Sequence, residues 1–225
     1  MFTVAELRRY PVKSMGGESL PTAEIDTRGL VGDRRYAVVD ADGRFASGKS
    51  TRRFKRRDEI FAYAATTDGD RVRVTGGDGS WVVGDPALDA ALTDAMGAAV
   101  HVLPENGVPH FDAGAVSLIG TATLDWCREH FDVDAESRRL RANVVIVTDE
   151  PFVEETWIGR GLKLGPVGLT VVERIERCRT IDLAQDGVAT TTRWLTALAG
   201  PRDLKLGIYA DVAQTGTISA GDTVS

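Results

Sequence analysis

The chain has 225 residues, 43% apolar and 27% charged, and its 27 Lys plus Arg against 33 Asp plus Glu leave a net charge of −6. This is the composition of an ordinary folded domain and excludes disordered, collagen-like and low-complexity chains. The acidic balance points away from nucleic acid, no apolar run approaches the ~18 residues of a membrane span, and Met1–Glu6 carries no leader pattern, so a cytoplasmic protein without a membrane partner is expected.

The first hundred residues read as β structure. Thr3–Leu7 begins a strand that Pro11 interrupts, and Lys13–Gly17 is a turn-rich loop. Arg35–Val39 and Arg44–Ala46 flank Asp40-Ala41-Asp42-Gly43, a short hairpin loop with Gly available for positive φ. Phe61–Thr66, Val72–Val74 and Trp81–Val83 are further short strands. Asp85-Pro86 then opens a helix with Leu88, Leu92 and Met96 on one face and Gly97 as its stop. Beyond Val100 the pattern mixes β and α. Strands are expected at Val116–Ile119, Asn143–Val147, Leu162–Leu164, Val167–Ile175, Ile208–Val212 and Thr217–Ile218. Helices are expected at Thr121–His130 and around Trp194–Leu198. Many short strands with few helices predict a mainly β, α+β fold rather than a doubly wound sheet. A boundary is placed at 97/98, ahead of the Pro104, Gly107 and Pro109 cluster, giving domains at 1–97 and 98–225.

Gly43-Arg44-Phe45-Ala46-Ser47-Gly48-Lys49-Ser50 fits the phosphate-loop pattern G-x-x-x-x-G-K-[ST]. That loop needs small residues and a following helix whose N-terminus faces the phosphates. Here Arg44 and Phe45 fill it, and Thr51–Arg57 offers no apolar helical face. A hairpin turn at Gly43 is expected instead of a nucleotide site.

Basic residues gather in five groups: Arg8, Arg9 and Lys13; Arg34 and Arg35; Lys49–Arg57; Arg138, Arg139 and Arg141; Arg174, Arg177 and Arg179. Each alone reads as a solvated face; together in an acidic chain they make sense if some converge on a small anion. The two cysteines are too few for a disulfide scaffold or a four-cysteine cluster. Cys178 sits among three arginines, where cationic neighbours favour a thiolate nucleophile or soft metal ligand. Cys127 lies on the apolar face of a predicted helix and reads as core. Of the three histidines, none has zinc-like spacing; His110, in a loop, is the one to follow.

These residues resemble, along essentially the whole chain, a MOSC-domain protein with its N-terminal β-barrel domain, the arrangement of the amidoxime-reducing molybdenum enzymes. Tyr10-Pro11-Val12-Lys13-Ser14 is similar to the opening motif, Gly32-Asp33-Arg34 to the next, and Phe111-Asp112-Ala113-Gly114 to a cofactor-lining loop. Arg141-Ala142-Asn143-Val144-Val145 is similar to the R-P-N-I-V segment, and Arg177-Cys178 to the R-C pair. The resemblance implies a MOSC-type β-barrel core beside an N-terminal β-barrel-like domain. It also implies a molybdenum cofactor, molybdopterin, held by Lys13, Ser14, Arg34, Gly114, Arg141, Asn143 and Arg177, with Lys49 as a further phosphate-facing cation. Cys178 is then the metal ligand, and Cys178 and Asp112 the catalytic residues. The implied activity is reduction of N-hydroxylated or N-oxide small molecules, with electrons from a separate flavin or iron–sulfur reductase. The alternative is a sulfur-carrier or cofactor-binding module using a Cys178 persulfide. Pyridoxal phosphate is a family-level association that no residue here supports. The chain departs from the family's D-P-x-T-G turn, having Asp182-Leu183-Ala184-Gln185-Asp186-Gly187 after the cysteine.

Overall fold

The computed structural model describes residues 1–77, 79–190 and 193–225. Its first strands are β1 (Phe2–Arg9), β2 (Glu18–Leu20), β3 (Thr22–Asp26), β4 (Gly29–Leu30), β5 (Tyr36–Asp40), β6 (Phe45–Ser47) and β7 (Phe54–Arg56). These are followed by β8 (Tyr63–Asp68), β9 (Arg71–Gly76), β10 (Gly79–Val82) and β11 (Val100–Pro104). The second half contributes β12 (Val116–Gly120), β13 (Val144–Val147), β14 (Gly161–Leu164), β15 (Val167–Glu176), β16 (Lys205–Gln214), β17 (Gly216–Ser219) and β18 (Thr223–Val224). Helices α1 (Pro86–Met96), α2 (Thr121–Phe131), α3 (Ser137–Leu140) and α4 (Trp194–Ala199) complete an α+β fold.

Eight strands run in the order β13-β12-β16-β15-β14-β18-β1-β2, and β13 also pairs with β1, so the sheet closes into a barrel. Closure explains why Val144, Val145 and Ile146 on β13 are all buried: the strand has a neighbour on each edge and layers on both faces. The barrel interior is filled by Val4, Leu7, Leu118, Val144, Leu164 and Ile208 with their neighbours. The first strand thus belongs to a sheet built mostly from residues after 115, and β3 likewise pairs with β17.

The intervening segment builds a second layer from the sheets β11-β5-β6-β7 and β10-β9-β8. Its core joins Val38, Ile60, Phe61, Val74, Leu88 and Leu92. Helix α1 forms as its sequence requires. The Asp85 side chain accepts from Ala87 N at 2.9 Å, Pro86 occupies the first turn, and Gly97 ends the helix at φ +61°. The strand expected from Phe61 begins instead at Tyr63. Residues 58–62 form a 3-10 turn that buries Ile60 and Phe61. Gly43 turns the β5–β6 hairpin at φ +74°, and the extended strand β7 follows Lys49 where a phosphate loop needs a helix. Among the described residues no helix is long and apolar enough to cross a membrane.

Candidate functional site

A small cavity, partly open to solvent, lies where the two layers meet. Lys13, Ser14, Arg34, Asp112, Arg141, Arg177 and Cys178 all line it, drawn from segments up to 165 residues apart. Three other predicted residues stand elsewhere. Lys49 lies with its Nζ 4.9 Å above the Phe54 ring. Asn143 is behind the wall with its amide spent internally: Oδ1 accepts from Ser117 N at 3.1 Å and Ser117 Oγ at 2.8 Å, and Nδ2 donates to Arg8 O at 3.2 Å. Gly114 packs its backbone on Tyr209, where an added Cβ would come within 2.5 Å of Tyr209 Cβ. It shapes the wall through another side chain.

Three residues of the cavity wall, two of them cations, are left-handed. Ser14 (φ +70°), Arg34 (φ +47°) and Arg141 (φ +54°) each adopt a conformation that side-chain-bearing residues seldom take. Lys13 Nζ, buried, donates to Asp112 Oδ1 at 2.8 Å. Burial lowers the ammonium's pKa from 10.5 to about 8, and the Asp112 charge offsets this in part. Burial works against ionising Asp112 too, but the Lys13 charge and hydrogen bond outweigh it and hold the carboxyl at about 2. Arg34 is neutralised by its neighbour Asp33 and donates to Arg141 O at 3.2 Å. Ser14 Oγ donates to Ala46 O at 3.0 Å.

Arg141 and Arg177 differ from these. Arg177 spends Nε on Leu206 O and Nη1 on Leu140 O, both at 2.8 Å, and its Nη2 has no partner. Arg141 has neither Nη1 nor Nη2 satisfied. Burial pulls both guanidinium groups down to about 10. Buried donors are nearly always paired, so the orphaned terminal nitrogens of Arg141 and Arg177 in one cavity mark a place for an anion. Beside them Cys178, half-buried, directs Sγ toward Thr180 Oγ1 at 3.4 Å.

The expected escort of three arginines around Cys178 reduces to one. Arg174 lies 3.8 Å from Glu155, and Arg179 makes two 2.7 Å bonds to Asp58; only Arg177 lines the cavity. Arg139 takes their place. It is 1% exposed and is anchored to the carbonyls of Ile181, Leu183 and Ala189. Cys127 is fully buried and burial pushes its thiol up to about 12, as a core residue requires. His110 packs edge-on to Phe45 at 5.0 Å.

Sequence reasoning missed Tyr209, Ser117 and Phe61 in the lining. Tyr209 and Ser117 are cross-strand partners on β16 and β12, a pairing with no local signature in either segment. The divergent loop after the cysteine is held by Asp186, whose carboxylate pairs with Arg8 at 2.7 Å and accepts from Gly17 N at 3.3 Å.

Among the described residues no group of three or more His, Cys, Asp or Glu is arranged to hold a metal. Cys178 is therefore a single soft donor, suited to a metal that arrives with other ligands of its own. A polyanionic cofactor carrying such a metal fits this wall: cations without counter-charge on one side, a thiol on the other.

Comparison with known proteins gives the same architecture. The MOSC domain model matches residues 73–225, and the MOSC N-terminal beta barrel domain model matches residues 1–115. Among solved structures, the YUAD protein from Bacillus subtilis is similar over 100% of this chain and 94% of its own, with 13% identity and a TM-score of 0.52. YiiM from Geobacillus stearothermophilus is 15% identical over 49% of this chain and 53% of its own, with a TM-score of 0.37. A search of curated proteins returned no match. At these identities the likeness to YUAD concerns the fold alone.

Proposed function

The chain belongs to the MOSC domain family and carries the family's N-terminal β-barrel domain, and from that premise we propose that it is a molybdenum-cofactor oxidoreductase. MOSC domains are associated with molybdenum-cofactor binding. The substrates proposed are small N-hydroxylated or N-oxide molecules, with electrons from a separate flavin or iron–sulfur protein. One observation carries the reading: the orphaned donors of Arg141 and Arg177 share a cavity with the Cys178 thiol.

Arg141, Arg177 and Lys13 would bind the phosphate and pterin portions through charge-assisted hydrogen bonds, and Cys178 Sγ would hold the metal. When bound, the cofactor supplies two-electron oxygen-atom transfer. Asp112, half-exposed at the cavity, keeps its carboxylate ionised and so accepts a hydrogen bond from a substrate N–H or O–H rather than giving up a proton. Lys13, close to neutral in its proton affinity, is the group of this pair that can hold or release one near physiological pH.

Metal analysis of the chain produced in a host that makes the cofactor tests the reading. Stoichiometric molybdenum that is lost in Cys178→Ser, together with reduction of an N-hydroxylated amidine by a chemical electron donor, is the expected result. A metal-free chain with labile sulfane sulfur on Cys178 overturns it in favour of a sulfur carrier.

A further inference from the structure

Tyr10 is fully buried just past the end of β1, and three guanidinium groups lie over its ring. Arg141 Cζ stands 4.3 Å from the ring centroid, Arg34 Cζ 5.0 Å and Arg8 Cζ 5.9 Å. Two of the three have acid partners: Arg8 pairs with Asp186 and Arg34 with Asp33. Arg141 has none among the described residues, and the Tyr10 face is the partner its side chain does have. A planar guanidinium stacked on an aromatic ring is attracted by the ring's quadrupole and keeps its in-plane N–H donors free.

The tyrosine itself is held by the same neighbourhood. Its N–H donates to Asp33 Oδ1 at 2.8 Å, and its carbonyl accepts from Arg34 N at 2.7 Å. The contacts that reach Arg141, Arg34 and Arg8 are made through the ring face.

We propose that Tyr10 is a positioning residue for anion capture: its π face holds Arg141, which has no counter-charge, with both terminal nitrogens ready for a phosphate oxygen. Without the ring, the Arg141 side chain is free to rotate, and a bound anion must then order it at a cost in affinity. The inference rests on the cavity being the anion site of the proposed function, and it gives a task to a residue of the opening motif that does not itself line the cavity.

The test uses the metal-free full chain and inorganic phosphate, titrated calorimetrically at fixed ionic strength. Tyr10→Phe keeps the wild-type affinity. Tyr10→Leu weakens it about thirtyfold, the scale of a desolvated cation–π contact. Because the leucine variant also empties core volume, 3,4,5-trifluorophenylalanine at position 10 supplies an isosteric ring with a depleted π face, and it too binds phosphate more weakly than Tyr10→Phe. In an Arg141→Met background these ring changes have no further effect. A fluorinated ring that binds phosphate as tightly as phenylalanine overturns the positioning role while leaving the cavity intact. A wild-type chain that binds no phosphate overturns the cavity reading along with it.

Discussion

The basic segment 49–57 and the cavity wall are both rich in cations, yet the fold treats them oppositely. In the segment, Arg56 pairs with Asp58, Arg57 lies 3.5 Å from Asp40, and Arg53, though its Nε is unpartnered, donates through Nη2 to the backbone carbonyls of Pro109 and Phe111. In the wall, Arg177 is buried and Arg141 half-buried, each with enclosed donors unmet, and Lys13 shares the cavity with them on the strength of one half-exposed carboxylate. A run of basic residues is thus a poor guide to an anion site. What distinguishes the wall is desolvated charge without counter-charge, which a fold rarely tolerates unless something else supplies the missing charge.

The thiols provide the widest contrast between wall and core. In the metal-free chain a maleimide at neutral pH should label Cys178 at least a hundredfold faster than Cys127, which is fully buried with its thiol pushed up to about 12. Equal rates, or faster loss of Cys127, would remove Cys178 from the site. Next in size is Arg141→Met. Replacing this half-buried guanidinium, whose enclosed terminal nitrogens are unpaired, by an apolar chain should stabilise the empty protein by up to about 1–3 kcal/mol. The same change should lower its phosphate affinity at least tenfold. The two effects have opposite signs, so urea unfolding and phosphate titration on one variant decide the matter. A variant that loses stability places Arg141 among ordinary structural arginines.

How much of this was legible depends on whether the signal is local. Helix α1 was legible because cap, proline, apolar spacing and glycine stop all fall within thirteen residues. The pairing of Arg177 with Cys178 is likewise adjacent in sequence. Strand β3 carries an alternating pattern, with Ala23 and Ile25 buried between exposed residues, but Pro21 and two acids obscure it. The phosphate-loop pattern at Gly43–Ser50 shows the converse: a local match whose required helix is absent, with strand β7 in its place. Tyr209 and Ser117 were beyond reach because a strand register over ninety residues away brings them together. Which arginines are paired was equally hidden, since Asp58 and Asp186 are distant from Arg179 and Arg8 in sequence.

Lys13 gives the wall a pH dependence. Its folded pKa is lowered to about 8 from 10.5. Between those values the unfolded chain still binds a proton that the folded chain has released. The empty protein should therefore gain stability as pH rises through this window, by up to about 3 kcal/mol, with no gain below pH 8 where both states are protonated. Phosphate affinity should fall over the same interval as the cation is lost. Asp112, held at about 2, does not titrate there. Denaturant unfolding of wild type and Lys13→Met at pH 7.5 and pH 10 checks this; parallel profiles for the two proteins would count against the assignment.

Arg179 supplies the smallest effect and the control for all the others. It stands one residue beyond Cys178, as Arg177 stands one before it, but its guanidinium forks onto Asp58 with both contacts at 2.7 Å. The two side chains are 38% and 33% exposed, so water and salt screen the pair. Arg179→Ala should then cost under about 1 kcal/mol. That cost should shrink further in about 1 M salt, where the screening length falls to about 3 Å. Phosphate affinity should not change, because Asp58 already satisfies the charge and the side chain lies outside the cavity wall. Arg177→Met, by contrast, should weaken phosphate binding and also leave the carbonyls of Leu206 and Leu140 without their donor. If Arg179→Ala weakened phosphate binding as much as Arg177→Met, the anion would be answering to the local density of arginines rather than to unpaired charge, and the distinction between wall and surface would fail.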